Sequence, residues 1–437
     1  MQREHLVMFC YCDIAGQVRG KGFPVSQLPK RLRSGIGWTP SNIMLTAFGP
    51  IAPSPWGPFG DLLLVADPAT EVEADFGDEH PREHFFLGDV LHTDGRPWEC
   101  CPRTFLKSAL AALEQQAGLR LLSAFEQEFY YEGAVERIGS AYSLDAMRRH
   151  SIFGEVFVGA LQRAGVEPES YMPEYGPRQY EVTYAAASGI ASADRAVIVR
   201  ELARAAARSL GHRVSFSPAV TPDVVGNGVH VHMSLVDLAG RPVMYDAEAP
   251  HGLSETSARF VAGLLQHAPT LCAVTAPSVV SYLRLQPHRW SAAWSNVGYR
   301  DREACVRICP VLEEAGAPIA PQFNIEFRAA DATASPYFAL GALIYAGLDG
   351  IVRQLPRPSV TSVDPETIDE RERARQGIQR LPQSLAEALD AFEADPATEA
   401  WFPPALHAAY LAHKRCEMQV MADLERDERC RRYREAY

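Results

Sequence analysis

Three runs in the chain alternate with the two-residue period of a strand: Phe125-Glu126-Gln127-Glu128-Phe129, Val229-His230-Val231-His232-Met233 and Ile325-Glu326-Phe327-Arg328. Successive side chains of an extended strand point to opposite faces. Glu126 therefore shares a face with Glu128, His230 with His232 and Ser234, and Asn324 with Glu326 and Arg328, while the other face is largely apolar. A sheet built from these runs buries its apolar face in a core. Its other face gathers carboxylates, imidazoles and a guanidinium, which reads as the wall of a charged cavity.

The rest of the pattern organises the chain around that wall. Strand and turn signals fill the first part: a strand over 6–13, a turn at Gly16 and Gly20, and a strand over 61–67, with Pro53, Pro55 and Pro58 marking a loop. A helical period begins at Pro102, and further helices are predicted over 192–210, 254–266, 339–348 and 384–392. The break near 97–102 predicts a small N-terminal domain, 1–97, and a larger one, 98–437. Helices alternating with polar-faced strands make the fold class α+β, with an antiparallel sheet covered by helices.

Composition narrows the partners. The 437 residues are 47% apolar and 22% charged, enough to fill two cores. A net charge of -12 without a basic block argues against nucleic acid or an anionic membrane as partner. No run approaches the ~20 apolar residues of a membrane span, and residues 1–5 open no signal peptide, so a cytoplasmic location is the default expectation. The nine cysteines match neither a zinc ribbon nor a disulfide framework and are expected to be reduced and mostly buried. Lysine occurs only at 21, 30, 107 and 414, so nearly all positive charge is arginine.

The unusual carboxylates are Glu126, Glu128, Glu174, Glu181 and Glu326, with His230 as the imidazole expected to join them. Five carboxylates in one cavity raise one another's pKa unless cations are present. Oxygen-rich ligation with one histidine favours Mg²⁺ or Mn²⁺ over zinc. Such ions commonly hold nucleotide phosphates, and Arg284, Arg302, Arg307 and Arg328, in one third of the chain, offer forks for carboxylate and phosphoryl oxygens. Metal ions and arginines together are what phosphoryl transfer requires. Taken singly, a Glu-x-Glu pair is more often a solvated strand face, and His230 alone a core histidine.

In collinear order, these residues resemble the glutamine synthetase superfamily. The resemblance runs from Asp13-Ile14-Ala15-Gly16 through Glu126-Gln127-Glu128-Phe129, the 174–181 segment and Gly226-Asn227-Gly228-Val229-His230. It continues through Ser281-Tyr282-Leu283-Arg284-Leu285, Arg302 with Arg307, Ile325-Glu326-Phe327-Arg328 and Leu381-Pro382-Gln383-Ser384-Leu385. It implies a β-grasp-like N-terminal domain, a catalytic domain with a curved antiparallel sheet, ATP with Mg²⁺ or Mn²⁺, and a homo-oligomeric ring such as a dodecamer. It implies one metal on Glu128, Glu174 and Glu181 and another on Glu126, His230 and Glu326. Gly226 and Arg284, with Arg328, match glutamate-binding positions; His232, Ser234, Arg302 and Arg307 match nucleotide and phosphate positions. The implied reaction phosphorylates the γ-carboxylate of glutamate and lets an amine displace phosphate, with Arg302, Arg307 and Arg328 catalytic.

The departures from the family pattern carry information of their own. An aspartate and a glutamate that serve ammonium in glutamine synthetases are matched by Thr39 and Trp290. Ammonium needs anionic partners and offers no apolar surface, whereas an aromatic wall suits an alkyl, aryl or cationic organic amine. A γ-glutamylamide ligase is therefore expected. A true glutamine synthetase and a non-catalytic nitrogen sensor or scaffold are the alternatives. Asn324, Ala219 and Val225 replace a family arginine, lysine and asparagine, residues 364–367 lack the tyrosine adenylylated in some relatives, and an N-terminal helix of many relatives is expected to be missing.

Overall fold

The computed structural model describes residues 4–77, 80–312 and 316–437; residues 1–3, part of the segment read for a signal peptide, lie outside them. The N-terminal sheet is built from β1 (Leu6–Cys12), β2 (Val18–Pro24), β3 (Ile36–Trp38), β4 (Leu62–Ala66), β5 (Val72–Ala74) and β6 (Glu83–His92), with helix α1 (Leu28–Ser34) between β2 and β3. Its order is β2-β1-β6-β4-β3, with β1 and β6 parallel and β5 added to β6. The sheet packs Phe9, Phe23 and Phe86 edge to face, an arrangement that suits aromatic quadrupoles.

The larger sheet starts after α2 (Pro102–Ala117). Proline fits the first turn of α2 because its missing N–H has no helical partner there, and Gly118 ends it in the left-handed conformation. The chain continues through β7 (Leu119–Tyr131), α3 (Leu144–Arg149), α4 (Ser151–Arg163), β8 (Pro168–Pro173), β9 (Gln179–Tyr184), β10 (Ala187–Ser188), α5 (Ala191–Ser209), β11 (Val214–Ser215) and β12 (Val229–Asp237). Then follow α6 (Glu255–Gln266), α7 (Ala268–Thr275), α8 (Ser281–Arg284), β13 (Val297–Tyr299), β14 (Val306–Ile308), β15 (Ile325–Phe327), α9 (Pro336–Val352) and β16 (Val360–Thr361). Helices α10 (Glu370–Gln376), α11 (Leu385–Ala394), α12 (Pro396–Trp401), α13 (Pro404–Met421) and α14 (Arg426–Ala436) complete the chain. The sheet order is β16-β13-β14-β15-β12-β7-β9-β8, with β10 and β11 also on β7. It is antiparallel, as expected, except at one edge, where the short β13 runs parallel to β14 and β16.

β7 alternates buried and less buried positions along its whole length, with Phe125, Gln127 and Phe129 inward. Burying each phenylalanine stabilises the fold by roughly 1.5–3 kcal/mol. Behind the sheet α9 is flanked by α2 and α6. Gly263 makes the α6 contact possible: a Cβ there would stand 2.0 Å from the Ala346 carbonyl oxygen. The predicted helix over 339–348 is one turn longer at its start, because Pro336 occupies its first turn.

One buried arginine ties the two sheets together. Arg103 on α2 is 1% exposed and pairs with Asp67 at 2.9 Å and Asp89 at 3.0 Å from the N-terminal sheet, and with Asp194 of α5 at 2.8 Å. The described cysteines are all free thiols, and all but Cys416 are buried. Among the described residues no helix is long and apolar enough to cross a membrane.

Candidate active site

Strand register builds the site row by row. Glu128 stands opposite Glu181 across β7 and β9, and Glu126 opposite His230 across β7 and β12. Glu326 on β15 stands opposite His232 on one side and Arg307 on the other. This face opens into a cavity of about 630 Å³ lined by Glu126, Glu128, Glu174, Glu181, Gly226, His230, Arg284, Trp290, Arg302, Arg307 and Arg328. A second chamber of about 320 Å³ is lined by His232, Ser234 and Asn324 and shares Glu126 with the first. Glu326 is fully buried between the two arginines it pairs with, Arg307 at 2.9 Å and Arg328. Thr39 does not join them: it sits half-buried just after β3 of the N-terminal sheet, at the N-cap position of a short 3-10 helix over Pro40–Met44.

The carboxylates of this wall are shifted in opposite directions by their surroundings. Burial raises the Glu181 carboxyl well above the usual range, and the negative charges of Glu126, Glu128 and Glu174 raise it further. Glu174 is shifted upward for the same reasons, although the Tyr142 hydroxyl donates to it at 2.7 Å. Glu326 goes the other way: burial opposes ionisation, but the Arg328 and histidine charges hold it down to about 2. His232 has carboxylate or amide oxygens on both sides, Glu126 at 2.9 Å from Nε2 and Asn324 at 2.9 Å from Nδ1. Burial opposes the charged imidazolium, but the Cys309 and Glu126 side chains beside the ring and the Glu326 charge outweigh it and raise its pKa well above the usual value.

A divalent cation fits these residues. His230 is 3% exposed, and its Nδ1 has no hydrogen-bond partner, although Glu326 lies at 3.4 Å and Glu126 at 3.6 Å. Among the described residues, two sets that could hold an ion bring their donor atoms within 4.8 Å: Glu126 with Glu181 and His230, and Glu126 with His232 and Glu326. Hard oxygen donors dominate both. Glu128 and Glu174 lie outside these groups: Glu128 accepts from Gln179 at 2.8 Å and from the Gly228 N–H at 2.7 Å, and Glu174 from Tyr142. Both still line the same cavity as Glu126, Glu181 and His230.

Trp290 is not a core tryptophan. It is 56% exposed, lines the cavity and faces the Tyr175 ring at 6.4 Å between centroids. Its backbone is left-handed, φ 55°, a costly conformation for a bulky residue. Two contacts hold it there: its N–H donates to Glu303 at 3.2 Å, and its carbonyl accepts from Arg328 at 3.3 Å. Sequence reasoning missed Tyr142, Met172, Tyr175 and Arg289, which also line this cavity. Tyr175 stood inside a quoted motif; Tyr142 lies in an irregular stretch with no periodicity to mark it. Cys309, 3.8 Å from both His232 and Glu326, was also missed.

Comparison with known proteins matches this geometry to a family. The glutamine synthetase N-terminal domain model matches residues 1–98, and the glutamine synthetase catalytic domain model residues 99–433. The chain is 33% identical to a gamma-glutamylpolyamine synthetase, GlnA3, of Streptomyces coelicolor, covering 100% of this chain and 94% of the relative. It is 30% identical to a glutamine synthetase of Pyrococcus horikoshii, covering 97% and 91%. A solved structure described as a novel glutamine synthase homolog is 44% identical, with a TM-score of 0.92 and coverage of 100% and 99%. Apo GmaS is 27% identical, with a TM-score of 0.80 and coverage of 98% and 96%. With both domain models matched in order along almost all of its length, the chain belongs to the glutamine synthetase family of ATP-dependent, divalent-metal-using carbon–nitrogen ligases.

Proposed function

We propose that this enzyme joins the γ-carboxylate of glutamate to an organic primary amine rather than to ammonium. The observation that carries the reading is Trp290, exposed in the cavity wall beside Tyr175 where the ammonium-using pattern has a glutamate. Aromatic faces contribute contact area and cation–π attraction to an alkyl or aryl amine and little to a small hydrated cation. Similarity to a gamma-glutamylpolyamine synthetase supports this reading. Similarity to the Pyrococcus glutamine synthetases favours the second reading, ammonium as substrate.

In the mechanism, Arg302 and Arg307 hold phosphoryl oxygens while Arg284, Arg328 and the Gly226 backbone seat glutamate. Buried Glu326 positions the Arg307 and Arg328 guanidinium groups from beneath. Phosphoryl transfer from ATP gives γ-glutamyl phosphate and ADP. The amine nitrogen then attacks the acyl carbon, the bond to phosphate breaks, and the nitrogen loses a proton. Glu126, Glu128, Glu174, Glu181, His230 and Glu326 would hold the divalent ions, which when bound would supply positive charge to offset that of the transferring group. Thr39 reaches an amine pocket in this reading only from a neighbouring subunit of a homo-oligomeric ring, which light scattering on the purified protein tests.

The deciding experiment is phosphate release with ATP, Mg²⁺ and glutamate against ammonium, alkylamines, arylamines and diamines, with products identified by mass. A γ-glutamylamide formed best from an organic amine supports the proposal. Turnover best with ammonium refutes it.

A further inference from the structure

A separate cavity of about 670 Å³ lies behind the flap segment that carries Arg284 and Trp290. Its lining includes Arg289, Arg426 and Arg429 and not one carboxylate, in a chain of net charge -12. None of the three arginines is neutralised by an ion pair among the described residues. Arg289 donates to the Asp223 and Val224 carbonyls at 2.9 and 3.4 Å, and Arg429 donates to the Ala422 carbonyl at 2.9 Å. The Arg429 Nε is buried without a partner. Val279, Leu283, Met418 and Met421 supply an apolar side to the same space.

Guanidinium forks suit carboxylate and phosphate oxygens, and a concave space of this size with a few convergent polar groups is of ligand-binding dimensions. We propose that this cavity is an effector site for a small organic anion, a carboxylate or phosphate on an apolar body. Its wall is shared with the active site. Tyr282, Leu283 and Gln286 face the effector cavity while Arg284 and Trp290 of the same segment line the catalytic one, and Arg289 borders both. Pro222 and Gly226 divide between the two cavities in the same way. Occupancy therefore bears on the segment that seats the amine, whichever amine the enzyme uses.

The test uses the full-length protein with ATP analogue, Mg²⁺ and glutamate present, so that the catalytic arginines are occupied. The probes are 4-bromobenzoate, 4-bromophenyl phosphate and neutral 4-bromobenzyl alcohol. Expected are a further calorimetric binding event with one anion, a bromine anomalous peak beside Arg426 and Arg429, and at least tenfold weaker binding in the double variant Arg426→Gln/Arg429→Gln. The amine KM should shift at least twofold with the anion in the wild type and not in the variant. An unchanged melting temperature checks that the variant folds, and the anomalous peak in the wild type stands independently of it. No further binding by either anion, equal binding of the alcohol, equal affinity in a folded variant, or an unmoved amine KM overturns the proposal.

Discussion

Burial, the hydrogen bond with Glu126 and the charges of Glu126, Glu128 and Glu174 push the Glu181 carboxyl upward, so a cation that takes it as a ligand has to displace its proton. Glu181 is 5% exposed and faces Glu128 across the strand pair, with Glu126 and Glu174 close enough to add to the upward shift. With its pKa pushed above neutrality, Glu181 is protonated at pH 7–8, and a bound cation reverses the balance because a ligating carboxylate must be ionised. One displaced proton makes log affinity rise by about one for each pH unit, about 1.36 kcal/mol. Glu181→Gln imitates the protonated form without a proton to lose. Mn²⁺ titrated calorimetrically in two buffers of different ionisation enthalpy should therefore release about one more proton per site from the wild type than from the variant. The wild type should also gain about tenfold more affinity between pH 7 and pH 8. Because glutamine keeps the neutral charge of the protonated carboxyl, the ionised carboxylates and His232 start from the same charge balance in both proteins, and the other protons leaving the cluster cancel. Equal proton release from wild type and variant would refute the reasoning.

Trp290→Glu restores an anion beside the amine. At an exposed position a unit charge about 4 Å away contributes about 1 kcal/mol, so kcat/KM for ammonium should rise about fivefold while that for an arylamine falls; a variant that favours neither substrate counts against the pocket assignment. His267 is held above its usual pKa, because hydrogen bonds to Asp395 at 2.7 Å and Asp349 at 3.0 Å outweigh burial. A raised folded pKa gives stability that is full below the unfolded value, about 6.5, and lost as pH rises through the folded value. His267→Gln should thus cost about 2 kcal/mol at pH 6 and progressively less in alkaline buffer, as read from thermal melts; a pH-independent loss would disprove the linkage. Gly263→Ala forces α6 away from α9 and should destabilise by about 1–3 kcal/mol in denaturant titration, with unchanged melting showing that the helices give freely.

The strands that carry the site were legible because their period is strict. Phe125, Gln127 and Phe129 alternate with Glu126 and Glu128, and a register slip of one residue would turn both glutamates into the core. Pairing was not legible: that Glu126 meets His230 and Glu326 meets Arg307 depends on contacts a hundred or more residues apart for the first pair and 19 for the second. The surroundings of Glu128 and Glu174 were not legible either, since Gln179 and Tyr142 supply hydrogen bonds that spacing along the chain does not reveal. The parallel edge at β13 escaped because strands of three residues leave no readable alternation.

Those pairings also explain how the flap position can carry Trp290 where the family pattern has a glutamate. The flap residue is attached by its backbone, through the Glu303 carboxylate and the Arg328 guanidinium, while its side chain remains exposed. A backbone anchor does not constrain the side chain's chemistry, so this position can exchange an anion for an aromatic ring without disturbing the buried Glu326–Arg328 pair below. The metal cluster has no such freedom. Each of its carboxylates is balanced against the others, and removing one shifts the protonation of those that remain. Under the proposed reading, the substitutions that change the amine are expected at the mouth of the cavity, at Trp290, Tyr175 and Tyr142.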